Sequence, residues 1–251
     1  MDSSQFIFGI HPVIEAIESG RSIDKLMMRK DLTGEQAHRL VEIARLHGIP
    51  MQRVPAERLG RYTRGNHQGV VAIMAAADYH RLGDVVPALF EQGVLPFIIV
   101  LDGITDVRNF GAIARTAECC GVNAIVIPER GSVGVGADAV KTSAGALLNI
   151  PVCRERSLAA GVQYLKKSGF KIVCATEKSA ENYTTADYTV PVAIVMGAED
   201  IGISNQILDI ADVRAAIPMF GRTGSLNVSV AAGVMMYEVV RQRLLADLEV
   251  E

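Results

Sequence analysis

Five polar residues stand where this 251-residue chain could handle an oxygen-rich ligand: Asn109, Arg115, Glu199, Ser225 and Asn227. Each lies just beyond an apolar run, or on the helix that follows it, and glycine marks the break. In 97–115, FIIVLDGITDVRNFGAIAR, the run ends at Asp102-Gly103 and a helix starts near Arg108, carrying Asn109 and Arg115. In 192–204, VAIVMGAEDIGIS, it ends at Gly197-Ala198-Glu199. In 217–243, IPMFGRTGSLNVSVAAGVMMYEVVRQR, a buried strand closes at Ile217, Pro218 breaks it, and a helix begins near Asn227. Glycine lets backbone approach a ligand closely, and a helix N-terminus offers unpaired N–H groups to negative or lone-pair oxygens. For Ser225 and Asn227 alone, capping the helix is the simpler reading. Three such ends carrying complementary polar groups favour a site.

The elements needed to position these ends alternate regularly. From Val94 onward, strands are expected at 97–101, 124–127, 149–153, 171–175, 192–196 and 213–217. Helices are expected at 108–120, 137–146, 158–168, 205–210 and 227–246, the last read from Val230, Val234, Tyr237 and Leu244 as its apolar side. Continuous apolar strands between helices predict an α/β fold with a parallel sheet covered on both faces. Ligands of such sheets sit beyond the carboxyl ends of the strands. Residues 1–77 read as a separate small α/β unit, with strands at 6–8, 23–28 and 70–74 and helices at 12–18 and 35–46. The turn-rich stretch 78–93 reads as a linker to a second domain, 94–251.

The three stretches resemble the signature motifs of the SpoU (TrmH-like) family of RNA ribose 2′-O-methyltransferases, within the SPOUT superfamily. The resemblance lies in DGITDVRNFGAIARTA, VMGAEDIG and IPMFGRTGSLNVSVA, and extends to FGIHPVIEAI and NHQGVVA near the N-terminus. It implies an enzyme moving a methyl group from S-adenosylmethionine to a ribose 2′-hydroxyl, most like those acting on a guanosine of 23S ribosomal RNA; a transfer-RNA substrate is the alternative within the family. It also implies a C-terminal domain with a trefoil knot, and a homodimer whose sites draw on both subunits. On this resemblance Arg115, Asn109, Glu199, Ser225 and Asn227 are the catalytic set; Asn109 would orient Arg115 or the RNA backbone, or simply cap its helix, and Glu199 would position Arg115 or a ribose hydroxyl. Thr176, Gly197, Ile217 and Leu226 are the cofactor contacts, and no metal is required. One position departs from the pattern: Asp200 stands where the second motif usually has glycine. A catalytically silent RNA-binding or ribosome-assembly protein is the rival from another class, and retention of all five polar residues speaks against it.

Composition sets the outer bounds. Hydrophobic residues make up 49 % of the chain and the formal net charge is −3, which argues against indiscriminate polyanion binding. No apolar run is long enough for a membrane span. No secretory leader is apparent, and the four cysteines lack zinc-like spacing, so a reducing cytoplasmic setting is expected. No acidic residue occurs between Arg58 and Ala77, where Arg58, Arg61 and Arg64 are spaced by three with Tyr62 among them. Cations interleaved with an aromatic ring suit single-stranded RNA, although a solvated arginine face gives the same pattern. Arg222 is a further candidate RNA contact.

Overall fold

Alternating side chains along short strands build the first of two compact units. The computed structural model describes residues 5–63 and 65–248. The chain up to Asp78, with Gly134–Ala137, forms one unit; Tyr79–Val133 and the chain from Asp138 onward form the other. The first contains β1 (Phe6–Phe8), α1 (Ile10–Glu18), β2 (Ile23–Arg29), α2 (Glu35–Leu46), β3 (Met51–Val54), α3 (Ala56–Leu59) and β4 (Val70–Met74). Its sheet runs β1-β4-β2-β3, with β2 and β3 parallel. Successive strand residues face opposite sides. Leu26, Met28, Val70 and Ala72 therefore meet the helices through Val13, Ile17 and Leu40, while Met27 and Val71 pack on Val54 and Leu59 across the sheet.

Tyr62 belongs to that second cluster, its ring 5.3 Å from the ring of Phe6. The ring is half-buried, so one part of it packs in the unit and the rest faces outward. Arg58 and Arg61 are both exposed, and Arg64 lies outside the described residues. The strand β3 and helix α3 were not expected. Pro50 and Pro55 bracket a four-residue strand with Gln52 and Arg53 inside it, which reads as loop.

The second unit contains β5 (Tyr79–His80), α4 (Leu82–Glu91), β6 (Phe97–Asp102), α5 (Val107–Cys119), β7 (Ala124–Pro128), α6 (Ala137–Thr142), β8 (Val152–Glu155), α7 (Leu158–Lys167), β9 (Lys171–Ala175), β10 (Val192–Gly197), α8 (Asn205–Leu208), β11 (Val213–Ala215) and α9 (Val228–Leu248). The sheet order is β11-β9-β10-β6-β7-β8-β5, and every pairing is parallel. One face packs against α4, α7 and α8 through Leu82, Val86, Leu158, Val162, Leu165 and Ile207. On the other, α9 packs on both β10 and α5. Among the described residues no helix is long and apolar enough to cross a membrane.

Two expectations fail here. The stretch 78–93 is not a linker: β5 pairs with β8 at the sheet edge, and Leu82 and Val86 of α4 are buried in the core of the second unit. Gly83 at its first turn and Pro87 within it disguise that helix. A chain beginning at Gly93 would lose both, so the division falls before Tyr79. The apolar side assigned to α9 is also wrong. Val228, Ala232, Met235 and Val239 are buried, whereas Val230, Tyr237 and Leu244 are 52 %, 55 % and 59 % exposed. Apolar residues lie all round this helix, so periodicity alone cannot select the packed side.

Close approach explains one glycine. A Cβ on Gly111 of α5 would lie 2.2 Å from the Thr142 hydroxyl and 2.8 Å from its backbone carbon, so α5 meets α6 only without a side chain there. The far end of α9 is held by hydrogen bonds. Arg243 donates to the carbonyls of Leu95, Pro96, Tyr188 and Val190 at 2.9–3.1 Å, and burial pushes its pKa down.

Candidate active site at the carboxyl ends of β6, β9, β10 and β11

The strand order reverses beside β6: the chain moves outward through β7 and β8, then returns through β9 to place β10 next to β6. Crevices at the carboxyl ends of strands form at such reversals. Gly197 pairs in register with Asp102, so β6 and β10 end level. Asp102 Oδ2 accepts from the Ser204 N–H at 2.8 Å, tying the turn after β10 to the end of β6. That turn folds straight back on its strand. Gly202, at φ +76°, donates its N–H to the Ala198 carbonyl, and a Cβ on Gly197 would sit 2.2 Å from the Gly202 carbonyl carbon. Gly197→Val would therefore distort the turn itself before it touched any ligand. Asp200 has no positive φ, because Gly202 supplies the left-handed position; an aspartate fits there without backbone strain.

A cleft of about 680 Å³, open to solvent, lies over these strand ends. Thr176, Gly197, Ile217 and Leu226, the four expected cofactor contacts, all line it, as do Glu199 and Ser225. Met196, Ile203 and Met219 complete much of its apolar wall. Those three carry no sequence signal that separates them from ordinary core residues.

Beside the cleft, the start of α5 and the start of α9, distant in sequence, converge on one carboxylate oxygen of the turn after β10. Glu199 Oε1 accepts from Asn227 Nδ2 at 2.7 Å, from the Val228 N–H at 3.2 Å and from Asn109 Nδ2 at 3.3 Å. Asn227 Nδ2 also donates to Asn109 Oδ1 at 3.0 Å. The carboxylate thus meets the N-terminus of α9, where the free N–H groups favour negative charge. Glu199 Oε2 takes no donor among the described residues, leaving one acceptor oxygen available.

Both readings of Asn227 hold together. Its Oδ1 caps α9, accepting from the Ser229 N–H at 2.9 Å and the Ser229 hydroxyl at 2.6 Å, while its amide nitrogen serves the cluster. Asn109 caps nothing. Asp106 Oδ1 takes the N–H groups of Arg108 and Asn109 at 2.9 and 2.8 Å, which frees the Asn109 side chain. An aspartate three residues before the asparagine was the available signal for this division of labour. Ser225 lines the cleft and has no cap bond.

Arg115 does not join the cluster. Within this chain Asn109 and Glu199 bond each other and Asn227 rather than Arg115, which leaves the RNA backbone and a ribose hydroxyl as their expected partners. Six residues along an α-helix turn a side chain roughly 120° away and carry it about 9 Å along the axis, so Asn109 and Arg115 leave α5 in different directions. Arg115 and Arg222 are both exposed and make no hydrogen bond or ion pair among the described residues.

Sequence comparison now identifies this arrangement. The profile of the SpoU rRNA Methylase family matches residues 96–237, which covers every loop of the cleft and the cluster. The chain belongs to that family. A second profile, RNA 2′-O ribose methyltransferase substrate binding, matches residues 6–80, the first unit. The protein is therefore an RNA methyltransferase with its substrate-binding domain. It is 38 % identical over 238 residues to YacO of Bacillus subtilis, assigned to the TrmH family of tRNA/rRNA methyltransferases, covering 95 % of this chain and 96 % of that one. An AdoMet-bound rRNA methyltransferase from Sinorhizobium meliloti superposes with TM-score 0.61 at 26 % identity, over 94 % of this chain and 86 % of its own. The TrmH/SpoU tRNA modifying enzyme of A. aeolicus, with TM-score 0.56 at 30 % identity, covers only 66 % of this chain and 86 % of its own.

Proposed function

We propose that this SpoU methyltransferase moves a methyl group from S-adenosylmethionine to the ribose 2′-hydroxyl of a guanosine in 23S ribosomal RNA, acting in the cytoplasm as a homodimer. The observation carrying the reading is the cluster of Asn109, Glu199 and Asn227 at the rim of the cleft. The cleft suits an adenosine-bearing cofactor. Met196, Ile203 and Leu226 offer an apolar wall, and Thr176 and Ser225 offer hydroxyls. When bound, S-adenosylmethionine supplies the electrophilic methyl group.

The chain's own residues would do the rest. The cluster holds Glu199 in one orientation with Oε2 free to accept a ribose hydroxyl. Ser225 and the Asn227 loop fix the wall beside it. Arg115, unpaired within its own subunit, binds the phosphate next to the target ribose and lowers the cost of negative charge on the 2′-oxygen as its proton leaves. A guanidinium, with pKa above 12, suits that electrostatic role better than that of a base.

The exposed apolar side of α9, with Val230, Tyr237 and Leu244, supports a dimer in which Arg115 serves the partner's cleft. The trefoil knot belongs to the same reading, with the 216–227 loop leading from edge strand β11 to α9 on β10. A reducing setting is supported by the four cysteines, none of them in a disulfide. Burial pushes the thiols of Cys153 and Cys174 up to about 12, which keeps them inert. Ribosomal RNA is favoured over transfer RNA because the ribosomal neighbour matches nearly the whole chain, substrate-binding unit included, whereas the transfer-RNA one does not.

Mapping 2′-O-methylation across ribosomal RNA from cells with and without this protein tests the reading. One guanosine of the large subunit should lose its methyl group; an unchanged ribosomal map with a lost transfer-RNA methyl would move the substrate.

The substrate-binding unit carries a prediction of its own. Arg58 and Arg61 are exposed on it. Replacing both with glutamine should weaken RNA binding and make the slope of log Kd against log salt shallower by up to about 2, since two fewer phosphates are neutralised. Cofactor affinity should not change. An unaltered salt slope would remove these arginines from the RNA contact.

A further inference from the structure

Phe220 is 99 % exposed, the most exposed large apolar side chain among the described residues, and it follows directly on Met219, which lines the cleft. Ile217 and Met219 line the cleft, while Pro218 and Phe220 alternate outward, as expected for extended backbone. From Phe220 the loop continues Gly221, Arg222, Thr223, Gly224 and Ser225, and Arg222 is exposed and unpaired. No acidic residue occurs from Val213 to Tyr237. The loop therefore presents one flat aromatic ring and a cation beside the cleft, with glycine and small polar residues around them.

That chemistry distinguishes the possible occupants. A protein partner would be met by a contiguous apolar patch, and this loop offers a single ring among polar residues. An unpaired nucleobase needs what is present: a free aromatic face for stacking and an arginine for the neighbouring phosphate. We propose that Phe220 is a substrate-positioning residue, stacking on an unpaired base of the RNA at or beside the methylated nucleotide, with Arg222 on the adjoining phosphate. The proposal rests on the RNA methyltransferase reading and adds the group that holds the target strand over the cleft.

The chain contains no tryptophan, which gives a direct test. In Phe220→Trp the new indole is the sole tryptophan, solvent-exposed at first. Deproteinised ribosomal RNA lacking the modification should quench its emission; raised salt should reverse this, and S-adenosylmethionine alone should not cause it. In parallel, Phe220→Ala should raise KM for that RNA about 5- to 150-fold, the range expected for one base stack, with cofactor Kd unchanged. Phe220→Trp should retain function and Phe220→Leu should not, since leucine is apolar without a stacking face.

Three results would overturn the proposal. The first is unaltered KM in Phe220→Ala. The second is full rescue by leucine. The third is tryptophan emission that ignores RNA but shifts with protein concentration, which would place the ring against a second copy. The quenching reads RNA contact without methyl transfer. If the parent protein transfers no methyl group to any RNA, the enzymatic reading fails while the stacking contact is still measured.

Discussion

Ribosomal RNA with one 2′-deoxy nucleotide at the modified position is expected to bind this enzyme and accept no methyl group. The change removes a single oxygen, so the phosphate contacts proposed for Arg115 and Arg222 and the proposed base stacking should persist. Binding should stay within a few-fold of that of the all-ribose RNA, while incorporation of labelled methyl falls to background. Methylation of a base would survive the same substitution, which makes the result a direct measure of reaction type. Transfer at an undiminished rate would exclude the ribose hydroxyl as acceptor and remove the role proposed for Glu199 Oε2.

Arg115→Ala should lower turnover roughly 10²- to 10⁴-fold, the range usual for a group that assists proton transfer. Its exposed position on α5, without an intramolecular partner, means that fold and cofactor affinity should not change. A solvated surface residue can ordinarily be replaced within about 0.5 kcal/mol of stability. Thermal unfolding and cofactor titration should therefore match the parent while kcat collapses. Arg115→Lys separates two versions of the role. Lysine keeps the charge but loses the planar fork, so substantial recovery would assign simple charge stabilisation, and no recovery would assign bidentate placement on a phosphate. Parental turnover in Arg115→Ala would make this arginine a bystander.

The parts of this enzyme legible in its sequence are those where local chemistry decides the outcome. Strands 70–74 and 171–175 and helix 35–46 fall where apolar runs and flanking glycines place them. The four cofactor candidates share one cleft because each closes or follows a strand of one parallel sheet. Legibility ends where tertiary context chooses between equivalent patterns. The helix α9 is apolar on every side, and only packing on α5 and β10 shows which side is interior. The stretch 78–93 looked like a linker because Gly83, Pro87 and a two-residue strand carry little periodicity, although Leu82 and Val86 are core. The packing of Tyr62 was not legible for a related reason: it depends on a residue 56 positions earlier, Phe6. Asn109 and Arg115 occur in one motif, yet helical geometry sends them in different directions.

The hydrogen bonds around Glu199 also bear on the order in which the chain is assembled. They join positions 28, 90 and 118 residues apart, with the widest span between Asn109 and Asn227. Contacts of such separation form late in folding, after the chain between them has ordered. During synthesis, about 6 to 24 s separate the emergence of those two asparagines at ordinary elongation rates. Residues 6–80, the match to the substrate-binding profile, thus leave the ribosome well before the Asn109–Glu199–Asn227 cluster can close.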